Sequence, residues 1–189
     1  MITKSQFTTR KIVFAALMAA LTFVGSMIRI QLPLSIAGTT AFHLGNIFCA
    51  LSGILLGPWM GGLAAGMGSA IYDMTNPAYI DEAWITFLMK GAYGLVAGLI
   101  AWLGKKECNY PKSIIATTAG AITYAAMYLA KSYYYGAIFK KGLTPDAALL
   151  VVFEKIPATV FNMVVAIIFA PILAKAISIA LKKNHLNMN

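Results

Sequence analysis

The apolar residues of this chain come in runs of roughly 20, the length at which a helix crosses a hydrocarbon core of about 30 Å, and the charged residues gather between the runs. Six runs are predicted as membrane spans: about 11–31, 41–57, 59–75, 84–104, 112–136 and 147–181. The expected fold class is an all-α integral membrane protein, with a single domain over 1–189 forming a bundle of six transmembrane helices. The last run is long for one span, and Pro157 and Pro171 are placed to kink it. No internal repeat stands out, so the inverted-repeat plan of many secondary transporters is not evident.

Composition supports the pattern. Of the 189 residues, 60% are hydrophobic and only 11% charged, and the mean hydropathy is +0.76. A soluble domain of this length has too little interior to hide that much apolar surface. The first run is not read as a signal peptide, because no small-residue cleavage site with a soluble mature region follows it.

A net charge of +9 raises nucleic acid as a partner in a soluble chain, but here the basic residues sit at helix ends, where they orient the chain. Lys4, Arg10, Lys11, Lys105, Lys106, Lys112, Lys175, Lys182 and Lys183 fall on one side of the six spans. The other side carries Lys140 and Lys141 together with Asp81, Glu82 and Asp146. The positive-inside bias therefore predicts cytoplasmic N and C termini. Cys49 and Cys108 are far apart and show neither metal spacing nor a disulfide framework.

Depth along the spans is more informative than charge. Arg29, His43, Asp73, Lys90, Lys131, Glu154 and Lys155 all fall in the outer half of the bundle. Lys90, the deepest on the fourth span, lies about six residues in, roughly 9 Å along the helix. Ionisable groups at membrane depth are costly and mark functional sites by default. A proton path or channel needs polar groups along its whole length, whereas this distribution suits a cup open to the outside and closed below. Two outer connections are long enough to contribute: Gln31–Thr40, a Pro- and Gly-containing loop able to fold over a cavity, and the polar segment 76–83.

Helical spacing sorts the candidates. Tyr124, Tyr128, Lys131 and Tyr135 share one face of the fifth span, and Glu154, Ala158 and Asn162 share one face of the sixth. Aromatic rings there can stack on a flat heterocycle while Lys131, Glu154 and Asn162 hold its polar edges. Tyr133, Tyr134 and Tyr135 also fit an interfacial aromatic belt. Glu154 and Lys155 point about 100° apart, so one faces the cavity while the other snorkels; Glu154 is expected inside. His43 has no companion at ligand spacing and suits hydrogen bonding at a rim better than metal binding. Asp73 fits a helix cap or an interhelical tie as well as it fits ligand contact.

Small residues four apart recur at Ala15/Ala19, Ala16/Ala20, Gly53/Gly57, Gly62/Gly66 and Gly94/Gly98. Such stripes let helices approach closely, either within the bundle or against another membrane protein. Gly104-Lys105-Lys106 lacks the glycine spacing and Ser/Thr of a phosphate loop, so the chain is not expected to hydrolyse ATP. No catalytic constellation stands out.

Several of these segments, in this order, resemble the substrate-binding (S) component of energy-coupling factor (ECF) transporters, importers of vitamins. The segments are the Ala-xxx-Ala first span, the long first loop, Phe42-His43-Leu44-Gly45-Asn46, Leu56-Gly57-Pro58, Gly61-Gly62-Leu63-Ala64-Ala65-Gly66, Tyr72-Asp73-Met74-Thr75-Asn76-Pro77 and Thr86-Phe87-Leu88-Met89-Lys90-Gly91. The resemblance covers essentially the whole chain. It implies a capture subunit in the bacterial cell membrane, not an enzyme. Its implied partners are an EcfT-like coupling subunit, two ATPase subunits, lipid and a small vitamin, with no cofactor, metal or nucleic acid. Docking on the coupling subunit is implied for Ala15, Ala16, Ala19 and Ala20. Solute contact is expected of Thr39, Thr40, His43, Asn46, Lys90, Tyr93, Tyr128, Lys131, Tyr135, Glu154 and Asn162. Within the family the vitamin B6 or hydroxymethylpyrimidine group is the nearest likeness. Pantothenate, riboflavin and a stand-alone secondary transporter stay open as alternatives.

Overall fold

The computed structural model describes residues 9–36, 38–104 and 109–184. Lys4, Lys105, Lys106 and Cys108, used above for charge bias and cysteine chemistry, lie outside them. Among the described residues six α-helices follow one another: α1 (Thr9–Met27), α2 (Gly45–Leu56), α3 (Pro58–Met74), α4 (Ala83–Trp102), α5 (Tyr110–Lys131) and α6 (Pro145–Lys183). A 3₁₀ turn at Ile80–Glu82 leads into α4, and a π-helical segment, Ser132–Phe139, prolongs α5.

Four of these helical stretches are long and apolar enough to cross a membrane: Thr9–Met27, Ile80–Trp102, Tyr110–Phe139 and Pro145–Lys183. α3 and α2 are shorter, at 17 and 12 residues. At 1.5 Å per residue α2 is only about 18 Å long, well short of the hydrocarbon core. It tolerates this because it is the central helix. It packs against each of the other five, and every one of its residues except Phe48 is buried. A helix wrapped in protein need not match the thickness of lipid.

Outward faces are apolar in the way lipid requires. Val13, Leu17 and Val24 on α1, Leu63, Met67 and Ile71 on α3, and Val164, Ile168 and Ile172 on α6 are all exposed. Such stripes would be aggregation surfaces in water and are ordinary in a bilayer.

The glycine stripes serve the interior. A Cβ on Gly53 would lie 2.2 Å from the backbone oxygen of Gly94, and one on Gly68 2.2 Å from that of Ala19. α2 against α4, and α3 against α1, are therefore in backbone contact, which only glycine permits. Gly57 serves differently: with φ of 82° it reverses the chain between α2 and α3, a conformation glycine adopts without steric cost.

Residues 31–34 and 38–40, expected as a loop, instead belong to the strands of an antiparallel hairpin, β1 (Arg29–Leu34) and β2 (Gly38–His43). Arg29 pairs with His43 and Leu34 with Gly38. α1 accordingly ends before residue 31, and α2 begins after residue 41. Paired strands satisfy each other's backbone groups where the chain passes over the end of the bundle. The hairpin is anchored on α6: Asn162 Nδ2 donates to the Ala41 carbonyl at 2.8 Å, and the Ile36 N–H donates to a Glu154 carboxylate oxygen at 3.1 Å.

Candidate functional site

Beneath the hairpin lies a cavity of about 130 Å³. Every helix except α2 contributes to its lining, together with the hairpin and the 3₁₀ turn. It sits at the end of the bundle opposite the Gly57-Pro58 turn, where the ionisable residues were expected to gather.

Its floor is aromatic. The rings of Tyr124 and Tyr128, one turn apart on α5, stack with centroids 5.8 Å apart. Tyr93 of α4 stacks below Tyr124 at 5.9 Å. Lys90 Nζ lies 4.1 Å from the centre of the Tyr124 ring and donates to the Asn46 side-chain oxygen. Lys155 Nζ lies 5.3 Å from the Tyr128 ring and donates to Ser132 Oγ at 3.3 Å. Both lysines thus sit on aromatic faces, where the ring quadrupole favours a cation.

One wall belongs to Arg29. Its guanidinium donates to the hydroxyls of Tyr72 at 2.6 Å and Tyr79 at 2.8 Å, while those rings flank it at 5.4 and 4.8 Å. This fork ties the hairpin to the end of α3 and to the segment before α4. The Lys131–Glu82 ion pair joins α5 to the 3₁₀ turn, and Lys140 lies 3.6 Å from the other oxygen of Glu82. His43 ends β2, outside the helices. Burial, and then the positive charges of Lys90 and Arg29, hold its imidazole well below the ordinary histidine range. A neutral His43 therefore adds no charge to the rim. Among the described residues no cluster of three or more His, Cys, Asp or Glu could hold a metal ion.

Of the residues expected to contact solute, Thr39, Thr40, His43, Lys90, Tyr128, Lys131 and Asn162 border the cavity. Asn46 stands one shell back, holding Lys90. Tyr93 is fully buried beneath the floor. Tyr135 is outside the lining, stacked on Phe139 and edge-on to Trp84. A regular α-helix through residue 135 would keep Tyr135 on the face of Tyr128 and Lys131. The π segment starts at Ser132 and changes the angular step before Tyr135 is reached. Lys155, not Glu154, borders the cavity; Glu154 holds the hairpin instead.

Arg29, Tyr72, Asp73, Tyr79, Glu82 and Thr86 also line the cavity and were not singled out for solute contact. Arg29 and Asp73 were visible as outer-half charges. Tyr79 and Glu82 lie in the segment 76–83, whose polarity was the available signal.

The four docking alanines divide between two faces. Ala16 and Ala20 are exposed, whereas Ala15 and Ala19 are partly buried against the core formed with α2 and α3.

Comparison with known proteins agrees with this architecture. The chain is 32% identical over 114 residues to a Pyrococcus woesei protein described as "Uncharacterized protein in gap 3'region", covering 60% of this chain and 72% of that one. It is 33% identical over 94 residues to a UPF0397 protein of Streptococcus gordonii, covering 50% of this chain and about half, 48%, of the relative. The family model "ECF-type riboflavin transporter, S component" matches residues 6–179. With that match spanning nearly the whole chain and apolar helices that make it a multi-pass membrane protein, the chain belongs to the ECF-type S component family, the vitamin-type substrate-binding subunits of transporters, which are not themselves enzymes.

Proposed function

We propose that this chain captures a small, single-ring vitamin, vitamin B6 or hydroxymethylpyrimidine, in the cavity beneath the hairpin and delivers it to an EcfT-like coupling subunit driven by two ATPase subunits. The observation that carries this reading is the cavity itself: about 130 Å³, floored by stacked Tyr124 and Tyr128, and ringed by donors. Drug-sized ligands occupy pockets of roughly 300–1,000 Å³, so the space favours one ring with short substituents. Stacking on the tyrosines would orient that ring, and Asn162, Lys90 and the threonines of β2 would read its polar edge.

The hairpin end faces outward in this reading, and the N and C termini are cytoplasmic, in a bacterial cell membrane. The Lys/Arg bias supports it: Arg10, Lys11, Lys112, Lys175, Lys182 and Lys183 belong to the turn end, while the connections at the hairpin end hold Lys140 and Lys141 beside Asp81, Glu82 and Asp146. The exposed pair Ala16 and Ala20 offers a smooth strip on α1 for close approach of the coupling subunit.

Riboflavin is the second reading, favoured by the description of the matching family. Its three fused rings would require the hairpin to lift and the cavity to widen. Mass spectrometry of small molecules released from purified, denatured protein separates the two. A single-ring vitamin supports the first reading, riboflavin the second. Uptake that proceeds without any coupling or ATPase subunit overturns both.

A further inference from the structure

Resting on the vitamin-capture reading, and narrowing it to phosphorylated or carboxylated forms over uncharged pyridoxine, hydroxymethylpyrimidine and riboflavin, we infer that the captured solute carries an anionic group, a carboxylate or a phosphate, received by Arg29, Lys90 and Lys155. The cavity is lined by four cationic side chains, these three and Lys131, against two carboxylates, Asp73 and Glu82. Glu82 is already neutralised, by Lys131 on one oxygen and by Lys140 at 3.6 Å from the other. Asp73 is the single carboxylate left among the lining residues for three cations.

Those three cations have neutral hydrogen-bond partners. Arg29 donates to two tyrosine hydroxyls, Lys90 to an amide oxygen and Lys155 to a serine hydroxyl. A neutral acceptor satisfies a donor without cancelling its charge, and uncancelled charge at membrane depth is strongly disfavoured. Arg29 also keeps a buried Nε with no hydrogen-bond partner, so one arm of its planar fork is unused. An entering anion would complete both the charge balance and the donor set, in the geometry guanidinium groups favour. Because Lys90 and Lys155 lie over the Tyr124 and Tyr128 rings, the charge and the aromatic ring of the solute would sit side by side.

The test uses the purified chain in phosphatidylcholine nanodiscs and isothermal titration with matched pairs: pyridoxine against pyridoxal 5′-phosphate, pyridoxine against 4-pyridoxic acid, and riboflavin against flavin mononucleotide. In whichever pair binds, the anionic member should bind at least about tenfold more tightly. That preference should fall to within about threefold in Arg29→Gln and in Lys155→Gln, and persist in Lys155→Arg, as expected for loss or retention of one charge partner. A circular-dichroism spectrum and gel-filtration profile matching the unaltered chain verify that each variant is folded. Equal or tighter binding of the neutral member overturns the inference and leaves vitamin capture standing. Binding by neither member of any pair overturns vitamin capture, and the inference with it. Loss of the preference when phosphatidylglycerol is added assigns the anion site to a lipid headgroup and also overturns the inference.

Discussion

Asn162 and His43 are joined by a hydrogen bond of 2.9 Å, the backbone N–H of His43 donating to the side-chain oxygen of Asn162. The same amide returns a bond from its Nδ2 to the Ala41 carbonyl. One side chain of α6 thus plays the part of a neighbouring strand for β2, closing the roof of the cavity onto its wall.

Replacing Asn162 with alanine should therefore free the hairpin. Two backbone groups would lose their partners in a buried setting, at a cost on the order of 2 kcal/mol. Hydrogen exchange should quicken at the His43 amide in Asn162→Ala while the amides of α2 stay protected. Unchanged exchange at His43 would show that the tie contributes nothing to closure.

Glu154 makes the second tie, at the tip of the hairpin. Glu154→Ala should raise the solute dissociation rate several-fold with little change in thermal stability, because the carboxylate holds a surface hairpin and not the bundle core. A charge-assisted bond of this kind contributes about 1.5–3 kcal/mol. Stopped-flow fluorescence with the solute identified by mass spectrometry checks it. An unaltered dissociation rate would remove Glu154 from the closing mechanism.

The backbone contact between α2 and α4 leaves no room at Gly53. Gly53→Ala would place its Cβ against the Gly94 carbonyl and should lower the melting temperature sharply, since overpacking costs roughly 1–3 kcal/mol or more when backbone must move. Gly136→Ala is the control: its Cβ would meet nothing closer than 3.8 Å, and stability should hold. A tolerant Gly53 would mean that the two helices separate more readily than their spacing implies.

The alanines of α1 should split by face. Ala19→Leu points into the packed interface with α3 and should destabilise the isolated subunit. Ala16→Leu and Ala20→Leu point outward and should leave its melting temperature and solute affinity unchanged while abolishing copurification with the coupling subunit. Equal loss of stability in all three would show that the outer strip is structural.

Removing one member of the Lys131–Glu82 pair leaves a partner in a half-buried setting. Lys131→Met should cost more than the double change Lys131→Met/Glu82→Gln, because Glu82 would lose its closest cation and keep Lys140 at 3.6 Å. Melting temperatures of the two single variants and the double variant give the coupling energy. Strict additivity would show that the pair is not coupled.

Helix number and order, and the crowding of ionisable residues at one end, were legible along the chain. A membrane helix must satisfy its backbone locally and present an apolar surface over a fixed length, so its signal is written in consecutive residues. Helical periodicity put Lys131 on the face of Tyr124 and Tyr128, and depth along the fourth span marked Lys90. Rotation of each helix about its axis, and any break in its register, depended on partners elsewhere in the fold. Glu154 and Lys155 are adjacent in sequence, yet only packing against the hairpin and α5 decided that Lys155 borders the cavity and Glu154 anchors Ile36. Tyr135 left the stripe because a π segment interrupted the period on which the stripe was built. The Arg29 fork to Tyr72 and Tyr79 joins residues more than forty positions apart, and the hairpin, itself a local pairing, is held in place by Asn162 and Glu154 of α6. Local patterning alone specifies a polar cup in a helical membrane bundle; which side chains face into that cup, and what closes it, are set by long-range packing and not by local period.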